Sequence, residues 1–290
     1  MSFAIYSDFC DQGAEPKRWC ALAARAGFEY LHWGHEFASS HIYTAKELRE
    51  LGRFLNASAL SVVDIHAAVQ ADGDWTSSDD VCRRKGVDLV CNALRMRDAW
   101  SATGAVVVHP VYRDSRKDTP GPVDQITAMY RSLDELLPQF ERAGARLAME
   151  NLPGDTGEVM DETLRRYDTP VLGICFDSGH ANMLASIGGF AQIERHANRL
   201  YATHLHDNDG VSDLHLPPFH GIMDWQRVVN IIRSSSYHEP LSFEFSLRNT
   251  PFHQAGISDF NLPEETIMEF LEDAYERCAR VERLFLEQQQ

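Results

Sequence analysis

The chain has 290 residues, 44% of them hydrophobic, and its 43 Asp and Glu against 27 Lys and Arg give a formal charge of −16. A field of that sign repels nucleic-acid backbones and anionic membranes unless a basic patch reverses it, and here the bases are scattered. Six cysteines without a CxxC pair, no apolar run of eighteen residues, and an N-terminus (MSFAIYSDF) without a basic leader point to a reduced, cytoplasmic protein.

Short β-rich runs alternate with longer amphipathic runs from end to end. FAIYSDF (3–9) is followed by the helix pattern PKRWCALAARAG (16–27), and YLHWGHEF (30–37) by AKELRELGRFL (45–55). SVVDIHAA (61–68) and AVVVHPV (105–111) come next, then a helix over DQITAMYRSLDELLPQFERAG (124–144). The remaining strand candidates are RLAMENL (146–152), VLGICFD (171–177), LYATHLH (200–206) and LSFEFS (241–246). A closing helix opens at Pro263 with acidic residues in its first turn. Eight strands and eight helices, without a linker, repeat or G-x-G-x-x-G loop, predict a single (β/α)8 TIM barrel over residues 1–290.

In such a barrel, chemistry sits at the carboxyl ends of the strands. Those ends carry His66, His109, Glu150 followed by Asn151, Asp177 with His180 three residues on, His204 with His206, and Glu244. Any one of these reads as a core histidine or a capping carboxylate. Six of eight strands ending this way point to a divalent ion, because buried carboxylates without a cation carry a large desolvation cost. THLHDNDGVSDLHLPPFHG (203–221) repeats the signal, with four His and three Asp, the ligand types of zinc and manganese.

The set DIHAA, VVVHP, AMENLPG, CFDSGHANM, THLHDNDGVSDLHL, FHGIMDW and SFEFS resembles the xylose-isomerase-like barrel superfamily. That group includes sugar and sugar-phosphate isomerases and epimerases, and also endonuclease IV. The resemblance implies that Glu150, Asp177, His204 and Glu244 hold one divalent ion. It further implies that His66 and His109, sharing Glu150, match a second ion position, and that His180, Asp213 and His215 match a third. One to three ions are therefore expected, zinc or manganese first, magnesium or cobalt as alternatives.

Around this set, Asp207 and Asp209 in HDNDG read as turn residues. His206 is a candidate substrate or supporting residue, with a structural role as the alternative. Within HWGHE (32–36), Trp33 and His35 are candidates to line a sugar pocket. Arg113 and Arg248, beyond the fourth and eighth strands, are candidates to hold an anionic group, whereas Arg116 and Lys117 read as solvated charges. Asp224 and Trp225 are expected to cap a helix. His220 stands where relatives often have Glu.

The resemblance implies a metal-dependent isomerase or epimerase of a sugar, sugar phosphate or polyol. Glu150 and Glu244 would be the catalytic bases, moving a proton through an enediolate. The alternatives are a trinuclear phosphoester hydrolase and a non-catalytic metal- or sugar-binding barrel. The charge, and the short loops expected after the second, third and seventh strands, weigh against duplex DNA. A small-molecule substrate, no nucleic acid, no membrane and a homodimer are the expected partners.

Overall fold

The computed structural model describes residues 2–10, 16–35, 38–69, 72–112, 123–255, 257–258 and 261–287. In its first half, β1 (Phe3–Tyr6), β2 (Tyr30–Trp33), β3 (Ser61–His66) and β4 (Val106–Val108) alternate with α1 (Pro16–Arg25), α2 (Ala45–Ala57), α3 (Asp80–Trp100) and α4 (Val123–Arg142). The second half begins with β5 (Leu147–Glu150), α5 (Glu158–Arg166) and β6 (Leu172–Asp177). After α6 (Ser178–Met183) and α7 (Gly189–Arg195) come β7 (Leu200–His204), α8 (Trp225–Arg233), β8 (Leu241–Phe243) and α9 (Glu264–Glu287).

All eight strands are parallel, in the order β7-β6-β5-β4-β3-β2-β1-β8. Leu205 N donates to Ser242 O and Glu244 N to Leu205 O, so β7 meets β8 and the sheet closes. The expected (β/α)8 barrel is the fold. Nine α-helices lie among the described residues rather than eight, because the β6–β7 crossover breaks at Gly188, whose φ is +97°. No helix among the described residues is long and apolar enough to cross a membrane.

Local chemistry sets the boundaries. Thr44 and Glu47 form a capping box at α2, Asp79 caps α3, and Asp224 caps α8 through Arg227 N, as the sequence reading of Asp224 has it. The strands are shorter than their apolar runs: SDF, HPV and EFS leave the sheet after Tyr6, Val108 and Phe243 and form the mouth of the barrel.

Alternation along each strand separates two layers. Val106, Val108, Leu147, Met149, Ile174 and Phe176 face the helices in the main apolar core, whereas Ala105, Val107, Ala148, Cys175, Tyr201 and Ala202 form a smaller apolar cluster. The β2–β3 register steps from Leu31↔Val62 to His32↔Asp64, and the β6–β7 register from Ile174↔Leu200 to Cys175↔Ala202. Each step leaves one extra residue, Val63 and Tyr201, and resets the phase that aims His66 and His204 inward.

Candidate metal centre

β3, β5, β6 and β7 end on His66, Glu150, Asp177 and His204, and His109 and Glu244 follow β4 and β8 by one residue. The side chains converge. His204 Nδ1 lies 2.8 Å from both Glu150 Oε2 and Glu244 Oε2. Glu150 Oε2 is also 3.3 Å from His66 Nε2 and 3.7 Å from His109 Nε2, and the two imidazoles are 3.2 Å apart at Nε2. His180 joins from the start of α6, with Nδ1 3.4 Å from Glu150 Oε1 and Nε2 3.3 Å from Asp213 Oδ2. His215 Nε2 is 3.4 Å from Asp213 Oδ1. Two ligands bound at about 2.1 Å to one ion cannot be much more than ~4 Å apart, and these separations lie in that range.

The fit to a cation rests on lone pairs. The Nδ1–H groups of His66, His180 and His215 donate to the carbonyls of Ala67 (3.0 Å), Asn151 (2.8 Å) and Glu244 (2.7 Å). A carbonyl only accepts, so each neutral ring presents its Nε2 lone pair to the carboxylates. Acceptor then faces acceptor, which is repulsive unless a proton or a metal ion lies between. Glu150 Oε2 and His204 Nδ1 are buried 2.8 Å apart yet are not aligned as a hydrogen bond. The set Glu150, Asp177, His204 and Glu244 brings one donor atom from each residue within 4.8 Å of the others, as does the set His180, His206, Asp213 and His215.

Charge responds accordingly. Burial opposes charge on Glu150 and Glu244, yet His204 holds both carboxyls below their usual range, with His109 and His180 adding to the effect on Glu150. Burial opposes charge on Asp213, but hydrogen bonds from His180 and His215 hold it well below the usual range. Burial likewise disfavours the imidazolium of His215, but Asp213, with Glu244 and Asp177 behind it, pushes it up to about 9. His180 rises against burial because of Asp177, Asp213 and Glu150, and His204 rises because of Cys175, Glu244 and Glu150. His66 goes the other way, lowered by burial and by His109. Protons thus balance the carboxylates in the metal-free chain, and a divalent ion would displace them.

Residues 205–224 deliver the second cluster, and they correct the expectation of a short loop after the seventh strand; the connection after the third, 67–79, is also extended. Asp207 is the pivot. Its carboxylate accepts from Asn208 N, Phe219 N, Met223 N and Trp225 Nε1 at 2.8–3.0 Å, and it pairs with Leu216 across an antiparallel bridge. It is fully buried, far more than a turn residue. Asp209 is the turn residue, accepting from Val211 N and Ser212 N. His215, held beside Leu216, takes a left-handed φ of +47°, a strained conformation for a side chain of this size.

The other sequence candidates separate. His206 is buried with Nε2 3.1 Å from both Asp177 oxygens, its ring stacked on His215 at 4.1 Å. It needs Gly179, where a Cβ would stand 1.9 Å from the ring. Trp33 faces the helices instead of a sugar, packed on Trp100 with ring centres 4.7 Å apart, because alternation on β2 turns His32 inward and Leu31 and Trp33 outward. His35 reaches the pocket edge through Asp8, at 3.2 Å. Arg248 stands on the pocket wall. Arg113, Arg116, Lys117 and Glu36 lie outside the described residues. His220 turns away from the mouth to Asp273 of α9, at 3.1 Å, which accounts for a His at that position.

A cavity of about 660 Å³ opens above the cluster. Its floor holds His109, Glu150, His180, Asp213, His215 and Glu244, and its walls include Tyr6, Asp8, Tyr112, Ser246, Arg248 and Asn249. The sequence reading did not single out these wall residues other than Arg248. Tyr6 and Asp8 sit in the apolar-looking FAIYSDF run, where the only signal is position at a strand end.

A closed parallel barrel with a His–carboxylate cluster at its carboxyl mouth defines a class of metal-binding (β/α)8 proteins. Within it, the chain belongs to the xylose isomerase-like TIM barrel family, whose model matches residues 20–276. The uncharacterised protein y4fM of Sinorhizobium fredii is 27% identical over 245 residues, covering 77% of this chain and 78% of its own. D-psicose 3-epimerase from Clostridium cellulolyticum H10, solved with D-tagatose, superposes with a TM-score of 0.73 at 16% identity, over 97% of this chain and 99% of that one. The IolI protein, solved with a zinc atom, has a TM-score of 0.70 at 14% identity, over 99% of each. At such identities these two structures share the fold.

Proposed function

We propose that the protein is a divalent-metal-dependent isomerase or epimerase of a small sugar or sugar-derived substrate. One observation carries the reading: Glu150 and Glu244, from strands on different sides of the barrel, flank a single ligand nitrogen on the floor of a half-polar cavity of monosaccharide scale. Glu150, Asp177, His204 and Glu244 would hold the principal ion, with zinc or manganese suited to this nitrogen and oxygen donor set. When bound, the ion would polarise an α-hydroxy carbonyl and acidify the adjacent C–H.

The chain's own residues would move the proton. One glutamate takes it as the C–H bond breaks and the electron pair enters an enediolate, and the other returns a proton to the opposite face. Glu244 is the more open of the two, with side-chain exposure of 13% against 2% for Glu150. Arg248 is the one Lys or Arg on the wall among the described residues, placed to receive an anionic or strongly polar end of the substrate.

A second reading, a phosphoester hydrolase with up to three ions, is favoured by the assembly of His66 with His109, and of His180, Asp213 and His215, beside the central set. A net charge of −16 disfavours a nucleic-acid substrate for it. The deciding experiment loads the protein with manganese or zinc and supplies free ketohexoses in heavy water. Deuterium at the carbon next to the carbonyl, with an epimeric or isomeric product, is expected. Phosphoester cleavage with no exchange on any sugar would replace this reading with the second. Elemental analysis counts the ions.

A further inference from the structure

At the end of β6, Asp177 is paired with a histidine that the principal ligand set does not use. His206 Nε2 lies 3.1 Å from both Asp177 oxygens, and the two side chains are fully buried. A carboxylate accepts, so the hydrogen sits on Nε2 and is shared between the two oxygens. Asp213 Oδ1, at 3.7 Å, stands beyond hydrogen-bond reach of the same nitrogen. The backbone of His206 is fixed as well. Ser178 Oγ donates to its carbonyl at 2.9 Å and accepts from its N–H at 3.0 Å.

His206 also brings a nitrogen within 4.8 Å of donor atoms on His180, Asp213 and His215, which would make it a ligand of an ion held by those three. Ring geometry excludes that arrangement. The His206 and His215 rings are stacked, 8° from parallel with centres 4.1 Å apart. An imidazole nitrogen holds its lone pair in the ring plane and binds an ion at about 2.1 Å, so two stacked rings cannot meet one ion. His215 has Asp213 and the Glu244 carbonyl on its two nitrogens, whereas His206 is turned to Asp177. Space for the His206 ring comes from Gly179, where a Cβ would meet its Cε1 at 1.9 Å.

We propose that His206 is a positioning residue for Asp177, its Nε2–H fixing the carboxylate that is to hold the principal ion with Glu150, His204 and Glu244. Three residues divide the work. Asn151 clamps the Asp177 backbone, accepting from its N–H at 2.8 Å and donating to its carbonyl at 2.9 Å. The His180 N–H donates to Oδ1 at 2.7 Å. His206, bonded to both oxygens, sets the rotation of the carboxylate about its last bond. Ligating carboxylates are ordinarily hydrogen-bonded in turn, and losing that partner lowers metal affinity. The inference rests on the metal reading of the site and assigns His206 to the principal ion rather than to substrate or to a further ion.

The test is titration of the metal-free protein with cobalt(II) against a competing chelator, following the visible absorption of the bound ion. Asp177→Asn marks which bands and which binding step belong to the principal ion. His206→Phe keeps a ring between Gly179 and His215 and removes the donor. It should weaken that step about 10- to 100-fold and shift its bands. His206→Gln, which places an N–H near the position of Nε2, should bind within about threefold of the parent. Affinities are compared at matched folded fraction, from urea unfolding of each metal-free variant. His206→Asn, too short to reach Asp177, takes the place of a His206→Phe protein that does not fold. Binding by the donor-less variant within about twofold of the parent, or an equal loss in His206→Gln, overturns the inference. Loss of a different ion with the principal step unchanged makes His206 a direct ligand and also overturns it. A parent that takes up no cobalt, or an Asp177→Asn protein that binds it as the parent does, overturns the metal reading and this inference with it.

Discussion

Glu150 and Asp207 are equally hidden from water, yet their surroundings differ in kind. Asp207 receives four protein donors and holds the 205–224 connection in shape. Glu150 faces imidazoles whose hydrogens are committed to backbone carbonyls, and one of its oxygens has no hydrogen bond. Burial of a carboxylate therefore does not mark a site. The count of donors around it does: a satisfied acid is architecture, and an acid among lone pairs is waiting for a cation.

Breaking each acid should separate the two. The largest effect is expected at the floor, where Glu150→Gln or Glu244→Gln should weaken metal binding on the order of several hundredfold, one ligand's share of a four-ligand site. Isothermal titration with manganese or zinc measures it, and catalysis should fall with it. The metal-free Glu150→Gln protein should also be less stable than the parent, because the imidazolium of His204 loses a carboxylate that it faces. Asp207→Ala removes no donor atom from the floor and should act through the fold, leaving three backbone N–H groups and the Trp225 indole unpaired and costing roughly 3 kcal/mol or more. Urea unfolding of the metal-free protein reads that cost directly. Equal loss of metal affinity in the two variants, compared at matched folded fraction, would erase the comparison.

Asp155 sharpens it with pH. It accepts from Gly157 N at 2.8 Å and from Gln192 Nε2 at 3.2 Å, fewer donors than Asp207 has, and burial pushes its carboxyl up to about 6. An acid with a raised folded pKa binds its proton more tightly in the native state, so stability falls as pH rises from near 4 to about 6 and levels off above. Asp155→Asn should therefore stabilise the protein at pH 7.5, by on the order of 2–3 kcal/mol, and change little at pH 4. Thermal melts at the two values check the sign. The smallest effect is expected at the rim: Arg248→Ala should raise KM roughly tenfold with kcat nearly unchanged, a loss of uniform binding.

The residues of the site were legible in the sequence because a polar residue that ends an apolar strand run stands out against its neighbours. His66, Glu150, Asp177 and His204 occupy the last positions of their strands for that reason. The misplacement of Trp33 has a plain cause. In YLHW every residue suits a strand, and only the closed sheet decides that His32 faces in and Trp33 faces the helices. Asp64 was legible in principle, two residues before His66 and on the same strand face, but a single acid within SVVDIH carries no sign of its partner. That partner, Ser242, is 178 residues away.

Alternation and strand-end position by themselves pointed to a parallel barrel with polar residues at its mouth, and composition to a net charge of −16, since these are local properties of the chain, whereas Asp213 and His215 entered only through the resemblance to a known family. Tertiary structure alone decided which of those residues meet. Asp207 became the pivot of a loop because its four donors come from residues 208 to 225, brought around it by the fold. Closing β7 onto β8 and the register steps at Val63 and Tyr201 chose the inward faces. Satisfaction of a buried polar atom is a property of the space around it, which no stretch of sequence specifies until distant strands share one interior.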